Sequence, residues 1–310
     1  MCASAMTFGR VWKVGVHMQR WKRSLESIAG LVLAIAFLGC GLTVKQQAAI
    51  DLFSAATLDF ATVGRSEFQQ SRADVTEMNT RRLELGDDSV PDDLAGLLTI
   101  ERTMVRLAAL EALQEYAQLL GALVSTTPPG EVKAASDSFV ASLRKVRGVS
   151  LNDTDASTIG RVVVLGGTFL IEYKRKKAVQ EVVEVAHPHI LTTIELVKQD
   201  FDADSDFWSA GYRQATQDLR GAAAAAGADV PAQDVTGQAL IKGAKVLATE
   251  NSARFTVVSA QITQAADRLR EAQQNLRFAV HSNEIGSQDI DEYVSSVNEL
   301  VAIYALLRSR

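Results

Sequence analysis

The stretch "FTVVSAQITQAADRLREAQQNLRFAV", residues 255–280, repeats apolar side chains at intervals of three and four. The repeating positions are Phe255, Val258, Ile262, Ala266, Leu269, Ala272, Leu276 and Val280. A period near 3.6 places all of them on one stripe of an α-helix, with the polar residues on the opposite face. The stretch therefore predicts a long amphipathic helix that buries one side.

The same periodicity recurs on both sides of this stretch. One series comprises Ile100, Met104, Leu107, Leu110, Leu113, Ala117, Leu120 and Val124. Another comprises Ile290, Tyr293, Val294, Val297, Leu300, Val301, Tyr304 and Leu307. Residues 41–310 contain no comparable alternation at period two, which is the mark of a half-buried strand. The predicted fold class is all-α.

Runs rich in Gly, Pro, Asp and Ser separate the helices, as in "GDDSVPDD" at 86–93 and "STTPPGE" at 125–131. The predicted helices are 44–85, 92–124, 131–146, 156–199, 204–226, 232–280 and 287–308. Several are much longer than the mean of about 11 or 12 residues in globular proteins. Long helices joined by short turns predict an elongated antiparallel bundle, with the turns at Gly86 and Pro128 at opposite ends.

The amino-terminal region has the layout of an export signal. An uncharged run at 28–38 follows a basic segment and is followed by "GCG" at 39–41. A membrane-spanning helix needs about 17 to 25 apolar residues, a length reached only if 39–44 are counted as membrane. Two interpretations follow: a cleaved signal peptide at 1–39, or an uncleaved anchor in the inner membrane with the rest of the chain facing the periplasm.

The end of the run, "AFLGC" at 36–40, resembles the lipobox of bacterial lipoproteins, in which a small residue precedes an invariant cysteine. The resemblance implies that the Cys40 thiol receives a diacylglycerol, that the chain is cut after Gly39, and that the new amino terminus is acylated. This chain has Phe37 and Leu38 where the family usually has Leu and a small residue.

Two further expectations concern the ends of this signal. In lipoproteins of double-membrane bacteria, Asp after the cysteine commonly retains the protein in the inner membrane. Gly41 in that position implies the periplasmic face of the outer membrane. At the other end, Met18 offers a later translation start that makes the basic segment compact. Cys2 would then be absent, and a domain whose one cysteine is Cys40 has no internal disulfide.

Charge argues against nucleic acid as a partner. Residues 1–40 hold five basic and one acidic residue, so residues 41–310 carry 27 basic and 36 acidic residues, a net charge of −9. Binding to phosphate backbones requires a broad basic surface, which this balance does not supply.

No sequence motif indicates an enzyme, a cofactor or a metal. "HPH" at 187–189 lacks the i, i+4 spacing of helical zinc ligands, and Pro188 predicts a polar kink there. "DFDADSDF" at 200–207 lacks the Gly and Glu that a calcium loop requires, so its aspartates are predicted to cap a turn. "GRVVVLGG" at 160–167 fits neither a phosphate loop nor a dinucleotide fingerprint.

Residues 159–177, "IGRVVVLGGTFLIEYKRKK", admit two interpretations. One is a membrane-contacting element whose apolar part enters the bilayer while its cations meet lipid phosphates. Its contact residues would be Val163, Val164, Leu165, Phe169, Lys174, Arg175, Lys176 and Lys177. The other is a central helix of the bundle, which the short apolar length favours.

The sequence thus predicts a lipid-anchored helical domain at 40–310 that serves as a structural or interaction module of the cell envelope. Its expected partners are membrane lipid, through Cys40, and an envelope protein whose identity and stoichiometry the sequence does not specify. The alternative is a membrane-active protein, similar in composition to helical pore-forming toxins, that uses residues 159–177.

Overall fold

The computed structural model describes residues 41–125, 127–165, 172–205, 207–282 and 288–308, with the backbone alone described at 162–165 and 172–173. All regular structure within these ranges is helical, which confirms the all-α prediction. The helices are α1 Val44–Glu84, α2 Ile100–Val124, α3 Pro129–Leu143, α4 Asp153–Leu165, α5 Glu172–Phe201, α6 Trp208–Asp229, α7 Val235–His281 and α8 Gln288–Arg308.

The two longest helices, α1 and α7, run antiparallel through the bundle. Gln46 at the start of α1 donates from Nε2 to the carbonyl of Ala279 near the end of α7, at 2.8 Å. We call the end of the bundle where α1 begins the lower end. The opposite end, where α1 ends, is the upper end. At 1.5 Å per residue, the 47 residues of α7 span roughly 70 Å.

The remaining helices pack along these two. Helix α1 contacts α2, α6, α7 and α8, and α7 also contacts α5, α6 and α8. Helices α2, α3, α4 and α5 pack in sequence, and α5 also closes onto α2. Each helix therefore buries at least one stripe against a neighbour, as the apolar periodicity requires.

Aromatic side chains fill the core at two levels. In the lower half, Phe53 of α1 contacts Tyr116 of α2 and Tyr293 of α8, and all three are fully buried. Closer to the middle, Phe68 of α1 packs edge-on against Trp208 of α6, with ring centroids 5.1 Å apart. These contacts join distant parts of the chain into one core.

Helix α2 begins at Ile100, eight residues later than the sequence predicts. The Thr99 side chain accepts a hydrogen bond from the Arg102 amide at 3.4 Å and so caps the helix there. Before it, Gly96 has a φ of +56°, and Asn79 of α1 donates to the carbonyl of Leu94 at 2.8 Å. These contacts hold the preceding residues as turns against α1.

The helix predicted at 156–199 is two helices, α4 and α5. The two helices pack against each other, and His189 of α5 lies 3.3 Å from Asp155 of α4, which one straight helix could not bring together. Apolar periodicity alone does not distinguish one long helix from two helices that pack against each other. No helix among the described residues combines the length and apolar character needed to cross a membrane.

Candidate functional site

The structure describes the predicted contact residues unevenly. Cys40 and Phe169 lie outside the described residues. Val163, Val164 and Leu165 lie on α4, where the backbone alone is described. The cations begin α5: Lys174, Arg175 and Lys176 are half-buried and Lys177 is exposed.

Helix α1 begins almost directly after the predicted lipidation position. Thr43 and Gln46 form a capping box, with the Gln46 amide donating to Thr43 Oγ1 at 3.1 Å and the Thr43 amide donating to Gln46 Oε1 at 2.9 Å. Such a box satisfies amide groups that would otherwise lack partners and determines where the helix starts. Leu42, just before it, is buried in the core. Only Gly41 therefore separates Cys40 from residues packed into the bundle.

The starts of α1 and α5 lie at the same end of the bundle. Besides its bond to Ala279, Gln46 Nε2 donates to the carbonyl of Ser282 at 3.2 Å. Gln180 of α5 donates from Nε2 to the carbonyl of Val280 at 2.6 Å. Both glutamines thus bind the last turn of α7. The cations that precede Gln180 on α5 lie farther toward the lower end.

The start of α5 carries both signs of charge. The amino terminus of a helix carries a partial positive charge, which favours acidic side chains in the first turn. Helix α8, which also begins at the lower end, follows this rule with Asp289 and Asp291. Helix α5 begins at Glu172 and then has four consecutive cations at 174–177. Four adjacent cations are the kind of segment that can bind anionic lipid headgroups.

Acidic side chains follow this run of cations on α5. Lys177 Nζ lies 3.7 Å from Glu181 Oε1, an exposed pair one turn apart. Glu184 is already bound by Arg277 of α7, whose Nε donates to it at 2.7 Å. This hydrogen bond lowers the pKa of Glu184 below its ordinary value. Glu184 thus serves the contact between α5 and α7.

The two polar motifs noted in the sequence have structural partners. His189 Nε2 lies 3.3 Å from Asp155 Oδ2 on α4, and helix α5 continues through Pro188. In the acidic motif, Asp200 pairs with Arg106 of α2 at 2.5 Å, and Asp202 Oδ1 accepts from the Asp204 amide at 3.0 Å. Within the described part of the chain, no three His, Cys, Asp or Glu residues are grouped so that they could hold a metal ion.

A buried ionic cluster, not anticipated from the sequence, joins three helices at mid-height. Arg254 of α7 donates to both carboxylate oxygens of Glu67, at 2.7 and 3.0 Å, and to Asp74 Oδ2 at 2.7 Å. Tyr212 of α6 donates to the same oxygen of Asp74 at 2.8 Å. Ser71 donates to Glu67 Oε1 at 3.0 Å.

The protonation states of this cluster depend on its pairing. Burial raises the pKa of Glu67, and the hydrogen bonds from Arg254 and Ser71 oppose that rise. Burial alone would lower the pKa of Arg254, but its hydrogen bonds and its attraction to Glu67 and Asp74 raise it above its ordinary value. A buried guanidinium that pairs with two carboxylates and joins neighbouring helices is a structural arrangement.

The clue to this cluster in the sequence is that Glu67 and Asp74 are seven residues apart, two turns on one face of α1. That face also carries the buried side chains of Phe60, Phe68 and Val75. Acidic side chains on a buried face require a buried cation, because an unpaired charge in the core is unfavourable.

No protein-family model matches the chain, and the searches of curated proteins and of solved structures both return no match.

Proposed function

We propose that this protein is a lipid-tethered module of the bacterial envelope that acts through contacts along its helical bundle. The observation that carries the proposal is the capping box of Thr43 and Gln46, which starts the bundle three residues after Cys40. A long flexible linker would let a tethered domain move freely, whereas so short a connection would hold the lower end close to the membrane.

The tether proposal also assigns roles to the two ends. Lipid on Cys40 would orient the lower end toward the bilayer, because α1 starts there. The upper end, formed by the end of α1, by α6 and by the first half of α7, would face away from it. Because α7 is roughly 70 Å long, this end could meet a protein partner well outside the headgroup layer. We propose the periplasmic face of the outer membrane as the location.

The tether is tested by labelling cells with radioactive palmitate. Wild-type protein should incorporate the label, and the Cys40→Ser variant should not and should either lose membrane attachment or retain its signal. Equal labelling of the two proteins would refute lipidation and favour the inner-membrane signal anchor.

The location is tested separately by fractionating the two membranes. Wild-type protein should accompany outer-membrane markers, and Gly41→Asp should shift it to the inner membrane. A matched change two residues further on, Thr43→Asp, keeps an N-cap residue on α1 and should leave the location unchanged. Wild-type protein found with inner-membrane markers would contradict the sorting step but not the tether.

A second candidate function, direct action on the membrane, is favoured by one observation. The cations at the start of α5 lie at the same end as the start of α1, so a tether at Cys40 would bring them to lipid headgroups. Cationic side chains near an anionic surface contribute about 1 kcal/mol each to binding. In this interpretation, residues 159–177 touch the bilayer beneath the bundle.

Liposome leakage distinguishes the two candidates. A membrane-active protein should release dye from vesicles that contain phosphatidylglycerol. Two variants should abolish release: Val163→Asp, and a variant in which all four cations at 174–177 are replaced by Glu. Changing Lys242 and Lys245 to Glu, two exposed cations in the upper half of α7, should have no effect. Absence of leakage by wild-type protein would leave the interaction module as the proposed function.

A further inference from the structure

The first turns of α2 leave apolar side chains exposed where the sequence periodicity predicts a buried stripe. Ile100 is 49% exposed and Met104 is 58% exposed, although both belong to the series that is buried farther along α2. Next to them Val105 is 37% exposed, and Phe207, just before α6, is 59% exposed. Large apolar side chains grouped on a surface commonly mark a binding site.

Two of these side chains, Val105 and Phe207, line a cavity between α2 and α5. Its volume is about 400 Å³, within the range of roughly 300–1,000 Å³ typical of small-molecule sites. Ala109, Leu196 and Val197 complete its apolar walls. Val197 and Ala109 are buried, so the walls continue into the hydrophobic core. The shape is an apolar recess bordered by exposed apolar groups.

The polar side chains of this cavity leave one positive charge without a partner. Arg106 pairs with Asp200 at 2.5 Å, donates to the carbonyl of Arg102 at 2.9 Å and lies over the Trp208 ring at 4.9 Å. These contacts hold it in place, and Asp200 balances its charge. Arg147, on the turn after α3, also lines the cavity, is exposed, and has no acidic partner among the described residues.

We propose that the cavity between α2 and α5 binds a fatty acid, with its hydrocarbon chain inside and its carboxylate at Arg147. An apolar recess favours a hydrocarbon chain, because each methylene removed from water is stabilised by about 0.8 kcal/mol. The guanidinium group matches a carboxylate through two parallel hydrogen bonds. The site is independent of the tether, since neither Cys40 nor the start of α1 contributes to it.

Dodecanoic acid that carries a terminal diazirine tests the site directly. The full chain carrying Cys40→Ser is placed in phosphatidylcholine nanodiscs, mixed with the probe and irradiated. The labelled peptides are then sequenced. Label should appear at 105–109, at 196–200 and at Phe207. Unlabelled dodecanoate should displace it, and dodecanol, which lacks the charge, should be at least tenfold weaker. Competition should strengthen about fourfold per added methylene until the cavity is full.

Three variants separate a specific site from non-specific labelling. Arg147→Glu should weaken dodecanoate competition at least tenfold, whereas Arg144→Glu, an exposed change on the same turn that does not line the cavity, should leave it unchanged. Ala109→Phe should block labelling by filling the recess. If the Ala109→Phe variant fails to fold, the Arg147→Glu variant still tests the proposal. Labelling that is the same in Arg147→Glu, or equal competition by dodecanol, would overturn the proposal.

Discussion

Arg254 on α7 binds Glu67 on α1 through two hydrogen bonds, although the two residues are 187 positions apart in the chain. The carboxylate of Glu67 is fully buried, and Asp74 shares the same guanidinium group. Two buried carboxylates therefore depend on a single cation.

Replacing Arg254 with Met should lower the free energy of unfolding by about 3–5 kcal/mol, because it leaves buried carboxylates without their partner. Urea unfolding followed by far-UV circular dichroism measures the loss.

The matched control is Arg268→Met, on the same helix. Arg268 pairs with Glu271 and Glu292 at the surface, both at 2.8 Å. Exposed pairs contribute about 1 kcal/mol or less, so this variant should be nearly as stable as wild type. Equal losses in the two variants would mean that the buried cluster does not stabilise the bundle.

Helix α8 offers a second matched pair. Val297 is 1% exposed and Val301, one turn later, is 37% exposed. Val297→Asp should lower the free energy of unfolding by about 3–5 kcal/mol, since it places an unpaired charge in the core. Val301→Asp should change it by less than about 1 kcal/mol. Similar unfolding midpoints for the two variants would contradict the observed orientation of α8.

Two glycines should respond to alanine in opposite directions. Gly121 lies within α2, and a Cβ there would have open space, so Gly121→Ala should raise the free energy of unfolding by about 0.5–1 kcal/mol. At Gly211 of α6, a Cβ would lie 2.6 Å from Leu98 Cδ1 and 3.1 Å from Leu97 Cβ. Gly211→Ala should therefore lower the free energy of unfolding by about 1–3 kcal/mol. A higher free energy of unfolding in both variants would contradict the close approach at Gly211.

Stability should fall as the solution is acidified through the titration of His187. Burial, and then the charge of Arg277, lowers the pKa of His187 below 6.5. Below pH 6.5 the unfolded chain therefore takes up a proton that the folded chain does not, and stability falls until the lowered pKa is reached. Between pH 7.5 and pH 5, the melting temperature of the His187→Gln variant should fall by less than that of the wild-type protein. An equal loss would assign the pH dependence to other groups.

The positions of the long helices followed from the sequence alone. The prediction of 44–85 corresponds to Val44–Glu84, that of 232–280 to Val235–His281, and that of 287–308 to Gln288–Arg308. These elements have a sustained apolar stripe and local end signals, as at Thr43 and Asp234, whose side chains accept hydrogen bonds from the first turn. Both signals act between residues close in sequence, so they can be recognised without the fold.

Tertiary contacts decided what local signals could not. The hydrogen bond from Asn79 to the carbonyl of Leu94 holds the turns that delay the start of α2. The contact between α4 and α5 shows two packed helices where the periodicity predicted one. The exposure of Met104 is also tertiary, because a periodic stripe predicts which side chains share a face but not whether a neighbour covers that face along its whole length.

The sequence by itself determined the all-α class, the limits of the longest helices and the signal that predicts a tether at Cys40. Only the tertiary structure decided that Glu67, Asp74 and Arg254 form one cluster, and that Val105, Arg147 and Phe207 line one cavity. Helical periodicity arises from hydrogen bonds four residues apart, whereas such groups depend on which helices pack together. Which helices pack together depends on the total area buried along their whole faces, and no short stretch of sequence specifies that area.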